Sequence, residues 1–150
     1  SSLKTSPQRS QSSASLSSAD APDDQVFYYS FVPCEGWRII LLDAFDISTT
    51  GRDPRSCEYK MARALIEKNN PNVFCKGQNR DWFKAIPKSR QRFVPFNGGI
   101  GQQQLKWLQH QLDQCCRANQ RAILITHVPL LPQAASLRTV AYNYEEVLAV

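Results

Sequence analysis

No apolar run in the sequence is long enough to cross a bilayer as a helix, and no charged-then-apolar start marks a signal peptide. The first absence excludes a helical membrane protein, and together they set the expectation of a cytoplasmic chain. No C-x-x-C pair occurs, and the five cysteines (Cys34, Cys57, Cys75, Cys115, Cys116) are odd in number. A zinc ribbon or a closed disulfide framework is therefore not expected, and the cysteines read as reduced thiols that mostly fill core space. The glycines at 98, 99 and 101 lack the G-x-G-x-x-G spacing and follow no clear strand, which argues against a dinucleotide site. Charge of one sign is not extreme. Eighteen Lys and Arg against 13 Asp and Glu give +5, which suits an anionic ligand but does not imply nucleic acid. Histidine is scarce, with only His110 and His127.

What is present is the composition of an ordinary globular chain, 42% hydrophobic and 21% charged, over a length that fits one domain or a piece of one. Residues 1–25 are rich in Ser, Gln, Pro and Asp and hold almost no large apolar groups. They cannot bury enough surface to offset their ordering entropy, so disorder is expected there and a folded part over 26–150. The first residue is Ser rather than Met, and Val150 falls inside an expected helix. Both features suggest a portion of a longer protein.

Within the folded part, the aromatic and β-branched run 26–32 and the run 37–42 predict two strands of a hairpin, joined by a four-residue loop through Gly36. Asp43-Ala44-Phe45-Asp46 closes the second strand. Its two carboxylates could bind a metal, but Asp-x-x-Asp is more often a turn in which the side chains bond local amides. A helix is expected over 54–69, N-capped by Asp53, with Cys57, Met61 and Leu65 as its apolar stripe. Residues 72–96 form a long irregular stretch in which Lys76, Arg80, Lys84, Lys88, Arg90 and Arg92 alternate with Phe74, Trp82, Phe83 and Phe93. This is either a basic loop anchored by its aromatics or a nucleotide-binding segment. Asn97-Gly98-Gly99-Ile100-Gly101 predicts a close-packed turn, followed by a helix over 102–117 with Leu105, Leu108, Leu112 and Cys115 on its inner face. His110 lies off that face among glutamines and is expected to be solvated. A last helix opens at Asn143, with Glu146 completing a capping box.

The most informative stretch is Arg121-Ala122-Ile123-Leu124-Ile125-Thr126-His127-Val128-Pro129. Four apolar residues, two of them β-branched, form a run too short for a helix, which predicts a strand buried on both faces. Pro129 holds Val128 extended. His127 is thereby placed at the carboxyl end of a core strand, the edge at which open α/β sheets bind ligands.

Gly99-Ile100-Gly101-Gln102-Gln103-Gln104-Leu105-Lys106-Trp107-Leu108 followed by Thr126-His127-Val128-Pro129 resembles the calcineurin-like metallophosphoesterases. Leu41-Leu42-Asp43-Ala44-Phe45-Asp46-Ile47-Ser48, Asn70-Pro71-Asn72, Phe93-Val94-Pro95-Phe96-Asn97-Gly98-Gly99 and Ala141-Tyr142-Asn143-Tyr144 are similar to the manganese-dependent ADP-ribose/CDP-alcohol diphosphatases. The resemblance runs in order from about Phe27 to Val150. It implies an α/β fold, part of a two-sheet β-sandwich flanked by helices. It also implies a two-metal centre holding Mn2+, in which His127 is one ligand.

The family's other ligands lie in GD, GD-x-x-D, GNH and GH-x-H segments, and none of these is present. The resemblance therefore implies a central fragment of an enzyme that cleaves the pyrophosphate of ADP-ribose, CDP-choline or related nucleoside diphosphate compounds. The isolated chain is expected to be inactive. Thr139 and Tyr142 are the candidates for lining the nucleotide pocket. A small-molecule substrate, no membrane partner, no nucleic acid and a monomeric state complete the expectation. The alternatives are a non-catalytic truncated paralogue and a basic nucleotide- or nucleic-acid-binding module using the 76–92 loop.

Overall fold

A computed structural model describes residues 27–75 and 81–150. The Ser-rich segment 1–25, Val26, Lys76 and Arg80 lie outside the described residues. The element order is β1 (Tyr29–Cys34), β2 (Trp37–Leu42), α1 (Cys57–Asn69), a 3-10 turn at Lys88–Arg90, α2 (Gln102–Arg117), β3 (Arg121–Thr126) and α3 (Tyr144–Leu148). The architecture is mixed α/β, a small sheet with helices.

The hairpin forms where expected but with a tighter turn. β1 continues through Pro33 to Cys34, which pairs with Trp37, so only Glu35 and Gly36 make the bend. Gly36 takes φ +78, the left-handed conformation that the turn needs and that glycine adopts without strain. β2 is the central strand, antiparallel to β1 and parallel to β3, in register from Trp37↔Arg121 to Leu42↔Thr126. The described residues thus hold one three-stranded sheet of order β1-β2-β3.

α2 covers one face of this sheet. Ile40 and Leu42 pack there against Leu105 and Leu108, with Ile100, Val128 and Ala141 closing the same core. The expected inner face of α2 is observed, with Leu105, Leu108 and Cys115 buried and Leu112 partly so. Gln104 and Gln111 share that face, and both are buried. Asn119, in the left-handed region at φ +51, ends the helix.

Three expectations are corrected. β3 is not buried on both faces: Ile123 and Ile125, on the face away from α2, are 43% and 47% exposed, and Leu124, beside Ile40 on the α2 face, is 37% exposed, because β3 is the edge strand of the sheet. α1 begins at Cys57, N-capped by Ser56, whose hydroxyl accepts from the Tyr59 amide at 3.1 Å, while Asp53 and Pro54 form a preceding turn. Its inward residues are Ala62 and Ile66, and Cys57 and Met61 face outward. The cysteines fill core space only at Cys115; Cys34, Cys57, Cys75 and Cys116 are exposed, and all five are free.

Candidate functional site

The carboxyl ends of β2 and β3 lie side by side, since Leu42 pairs with Thr126. Asp43 and His127 are the next residue on each strand. His127 is exposed, and its ring centroid sits 5.5 Å from that of Phe45, tilted by 39°. Below it the chain turns inward. Val128 and Leu130 are buried in the main core, and the Pro129 carbonyl accepts from the Ala141 amide at 3.0 Å. An apolar anchor on each side of Pro129 thus fixes the histidine at the sheet edge.

The Asp43-x-x-Asp46 segment is a turn, as its spacing predicts. Asp43 accepts from the Phe45 amide at 2.9 Å. The buried Gln104 side chain clamps the Asp43 backbone, accepting from its amide at 2.8 Å and donating to its carbonyl at 3.0 Å. Asp46 accepts from the Gly101 amide at 2.9 Å and from Gln104 at 3.0 Å. Both acids therefore serve the junction between the end of β2 and the start of α2. Arg52 donates to the Phe45 and Asp46 carbonyls and braces the same turn from outside. Among the described residues no group of three or more His, Cys, Asp or Glu could hold a metal ion. A two-metal centre does not fit the described residues by themselves: His127 stands without a ligand cluster.

Tyr142 is built into the core rather than presented to solvent. Its hydroxyl lies 2.7 Å from the Val94 carbonyl and 2.8 Å from that of Asn97, and its ring stacks on Phe93 at 5.4 Å. Burial pushes this phenol above the usual tyrosine range. Its ring also lines a cleft of about 340 Å³ with Arg92, Phe93, Asn143 and Glu145. A second cleft of similar size is lined by Asp43, Phe45, Arg52 and Asp53. The two share no lining residue, so Tyr142 is not brought to the cleft beside the His127 turn. Thr139 is exposed and donates to the Ser136 carbonyl at 2.9 Å, within a local turn.

The segments that carry the resemblance converge on one knot behind the sheet edge. Asn97 donates to the Arg92 and Arg138 carbonyls, Ser48 to the Asn97 carbonyl, and the Tyr142 amide to the Gly98 carbonyl. The Asn143 side chain bonds both the amide and the carbonyl of Ile100, so the expected capping box of α3 is not its main engagement. Gly98 is needed for close approach: a Cβ there would stand 2.1 Å from the Ala44 carbonyl oxygen.

Gln104 and Gln111 were not singled out in the sequence, although both fall at the helical spacing of the inner stripe. Gln111 accepts from Ser30 at 2.6 Å and Arg38 at 3.0 Å, tying β1 and β2 to α2. In the 72–96 stretch the aromatic anchors are plain. Phe93 is buried, Phe83 lies under the Arg138 guanidinium at 4.1 Å, and Phe74 under that of Arg63 at 4.4 Å. Arg92 is paired with Glu145 at 2.9 Å and donates to the Tyr142 carbonyl. His110 is exposed beside Gln114, as expected.

No protein-family model matches the chain. Individual relatives do. The manganese-dependent ADP-ribose/CDP-alcohol diphosphatase of Mus musculus is 32% identical over 129 residues, 86% of this chain and 36% of the relative. The Homo sapiens protein of the same name is 33% identical over the same shares. That of Oryza sativa is 37% identical over 131 residues, 85% of this chain and 38% of the relative. The crystal structure of a dimetal phosphatase from Danio rerio superposes with a TM-score of 0.71 at 31% identity, covering 84% of this chain and 39% of that one. The chain spans a little over a third of the length of the curated relatives it matches. It is a homologue of the manganese-dependent ADP-ribose/CDP-alcohol diphosphatases.

Proposed function

We propose that this chain is the central part of a metal-dependent phosphohydrolase. The protein that carries it cleaves the pyrophosphate bond of ADP-ribose, CDP-choline or a related nucleoside diphosphate compound. The observation that carries the reading is the placement of His127: exposed, at the carboxyl end of a parallel strand, in a chain whose relatives are named for manganese-dependent diphosphatase activity. In this reading His127 is a Mn2+ ligand through a neutral imidazole nitrogen. The remaining ligands come from polypeptide other than the described residues, which hold no ligand cluster of their own. The sheet with α2 on one face is then one side of a two-sheet sandwich. Thr139 and Tyr142 keep the structural roles described above, and any contact they make with substrate is secondary to these. The protein works as a cytoplasmic monomer on a small-molecule substrate.

Besides His127, what this chain contributes is position. Phe45 limits the ring orientations open to His127, and the Asp43–Gln104 clamp fixes the loop that carries Phe45. The test is manganese-dependent ADP-ribose hydrolysis by the native protein that carries this chain, with and without His127→Ala. A fall of roughly a hundredfold or more is expected, by analogy with the loss of metal affinity when a ligand shell is disrupted. Unchanged hydrolysis in the variant removes His127 from the site. No hydrolysis by the native protein leaves the non-catalytic paralogue as the reading.

A further inference from the structure

The cleft beside the His127 turn has a chemistry of its own. It holds about 340 Å³, at the lower end of the range of small-ligand pockets. Phe27 and Phe45 give it apolar walls, and Asp43, Thr50, Arg52 and Ser56 give it polar groups. Phe45 also joins it to the sheet edge, since its ring centroid stands 5.5 Å from that of His127. A molecule held at the histidine can therefore lay one end here.

The fold fixes what each polar group still has to offer. Ser56 accepts from the Tyr59 amide at 3.1 Å, which leaves its O–H to donate. Thr50 donates to the Pro95 carbonyl at 2.8 Å, which leaves its lone pairs to accept. Asp43 spends one carboxylate oxygen on the Phe45 amide and keeps the second as an acceptor. Arg52 turns Nη2 onto the Phe45 and Asp46 carbonyls, which holds its guanidinium in the wall and leaves Nη1 as a donor. Asp53 also lines the cleft, but both its carboxylate oxygens are engaged by Arg55, whose guanidinium holds that carboxyl below the usual range. The charge left to a ligand is one guanidinium against one carboxylate, close to neutral.

We propose that this cleft is the subsite for a pentose at the non-nucleoside end of the substrate, so that the protein prefers ADP-ribose to CDP-alcohols. The substrate class rests on the functional reading above. Donors and acceptors that alternate around a near-neutral cleft suit a neutral ligand whose every hydroxyl does both. The two phenyl rings suit the C–H face of a sugar. A choline end fits less well. Its trimethylammonium uses neither the Ser56 nor the Arg52 donor, and it would stand against a guanidinium. A nucleobase also fits less well, because the lining has no Asn or Gln to read a base edge. A bare phosphate would meet the Asp43 carboxylate.

The experiment compares kcat/KM for ADP-ribose and CDP-choline in the native protein that carries this chain. Thr50→Val removes a hydroxyl without changing the charge and should lower the ADP-ribose to CDP-choline ratio about fivefold, by weakening ADP-ribose. Ser56→Asp keeps a helix cap but replaces the cleft's donor with a carboxylate, and should lower the ratio about tenfold by admitting the cation. A fall of both substrates together is a structural effect and overturns the proposal, as does an unchanged ratio or a native preference for CDP-choline. Ribose 5-phosphate reads the cleft without turnover. It should shift the NMR signals of the Gly51 and Ser56 amides, and phosphocholine at the same concentration should not. Absent or equal shifts overturn the proposal. A protein that binds ribose 5-phosphate here but hydrolyses neither substrate with Mn2+ overturns the functional reading and leaves the subsite standing.

Discussion

Tyr142 belongs to the scaffold as well as to the wall of the Arg92–Glu145 cleft. Its hydroxyl is buried against two carbonyls, and each carbonyl has a further donor: the Asn97 amide for Val94, the Ser48 hydroxyl for Asn97. Removing the hydroxyl therefore orphans neither acceptor fully. Tyr142→Phe should cost about 0.5–1.5 kcal/mol, the net value of a hydrogen bond, rather than the larger penalty of an unsatisfied buried group. Equilibrium urea unfolding measures this directly. The same phenol makes stability pH-dependent in the alkaline range. Its pKa is raised in the fold above the ordinary value of 10.0 by burial. The protonated form is thus the folded form's, so its contribution is fully present below pH 10 and is lost as pH rises beyond that value. The urea midpoint should fall as pH rises above 10, and fall less steeply in Tyr142→Phe. Equal slopes in the two proteins would mean that Tyr142 ionises as freely in the fold as outside it.

Helix α2 carries its capping group at a distance. Its N-cap residue is Gly101, which has no side chain to cap with, and the carboxylate of Asp46 takes that place from 55 residues away. The acid accepts from the Gly101 amide and the Gln104 side chain at the positive end of the helix, so capping and dipole contributions coincide. Asp46→Ala should destabilise by about 1–2 kcal/mol in chemical denaturation. Asp46→Asn should recover part of that loss, because the amide oxygen still accepts while the charge is gone. An unaffected Asp46→Ala protein would show that α2 is held by its apolar face alone. The bounds of α2 were fully legible, since its apolar spacing, its glycine entry and its Asn119 exit agree. The bounds of α1 were not. Asp53-Pro54 is a sound helix opening by local preference, but Asp53 is engaged by Arg55, and Ser56 caps instead. The polar core was illegible for a different reason. Gln104 and Gln111 sit on the inner stripe, and only the strand ends brought to them by the fold give a buried glutamine its partners. His127 was placed correctly at a strand end from four apolar residues and a proline. What its sequence could not show is which other elements reach that end.

The whole molecule is asymmetric about its sheet, and a pair of isoleucines measures the asymmetry. Ile40 on β2 is fully buried under α2, whereas Ile123 on β3, on the opposite face, is 43% exposed. The run Ala122–Ile125 reads as doubly covered because periodicity reports apolarity and not which neighbours are present to cover it. Truncation separates the two cases. Ile40→Ala removes a side chain from a closed core and should cost about 2–5 kcal/mol. Ile123→Ala removes one that already meets water, leaves no enclosed cavity, and should cost less than about 1 kcal/mol. Urea unfolding of the two variants of the 150-residue chain at one protein concentration gives the comparison. Equal losses would mean that the Tyr29–Ile125 face is covered in the chain as it stands.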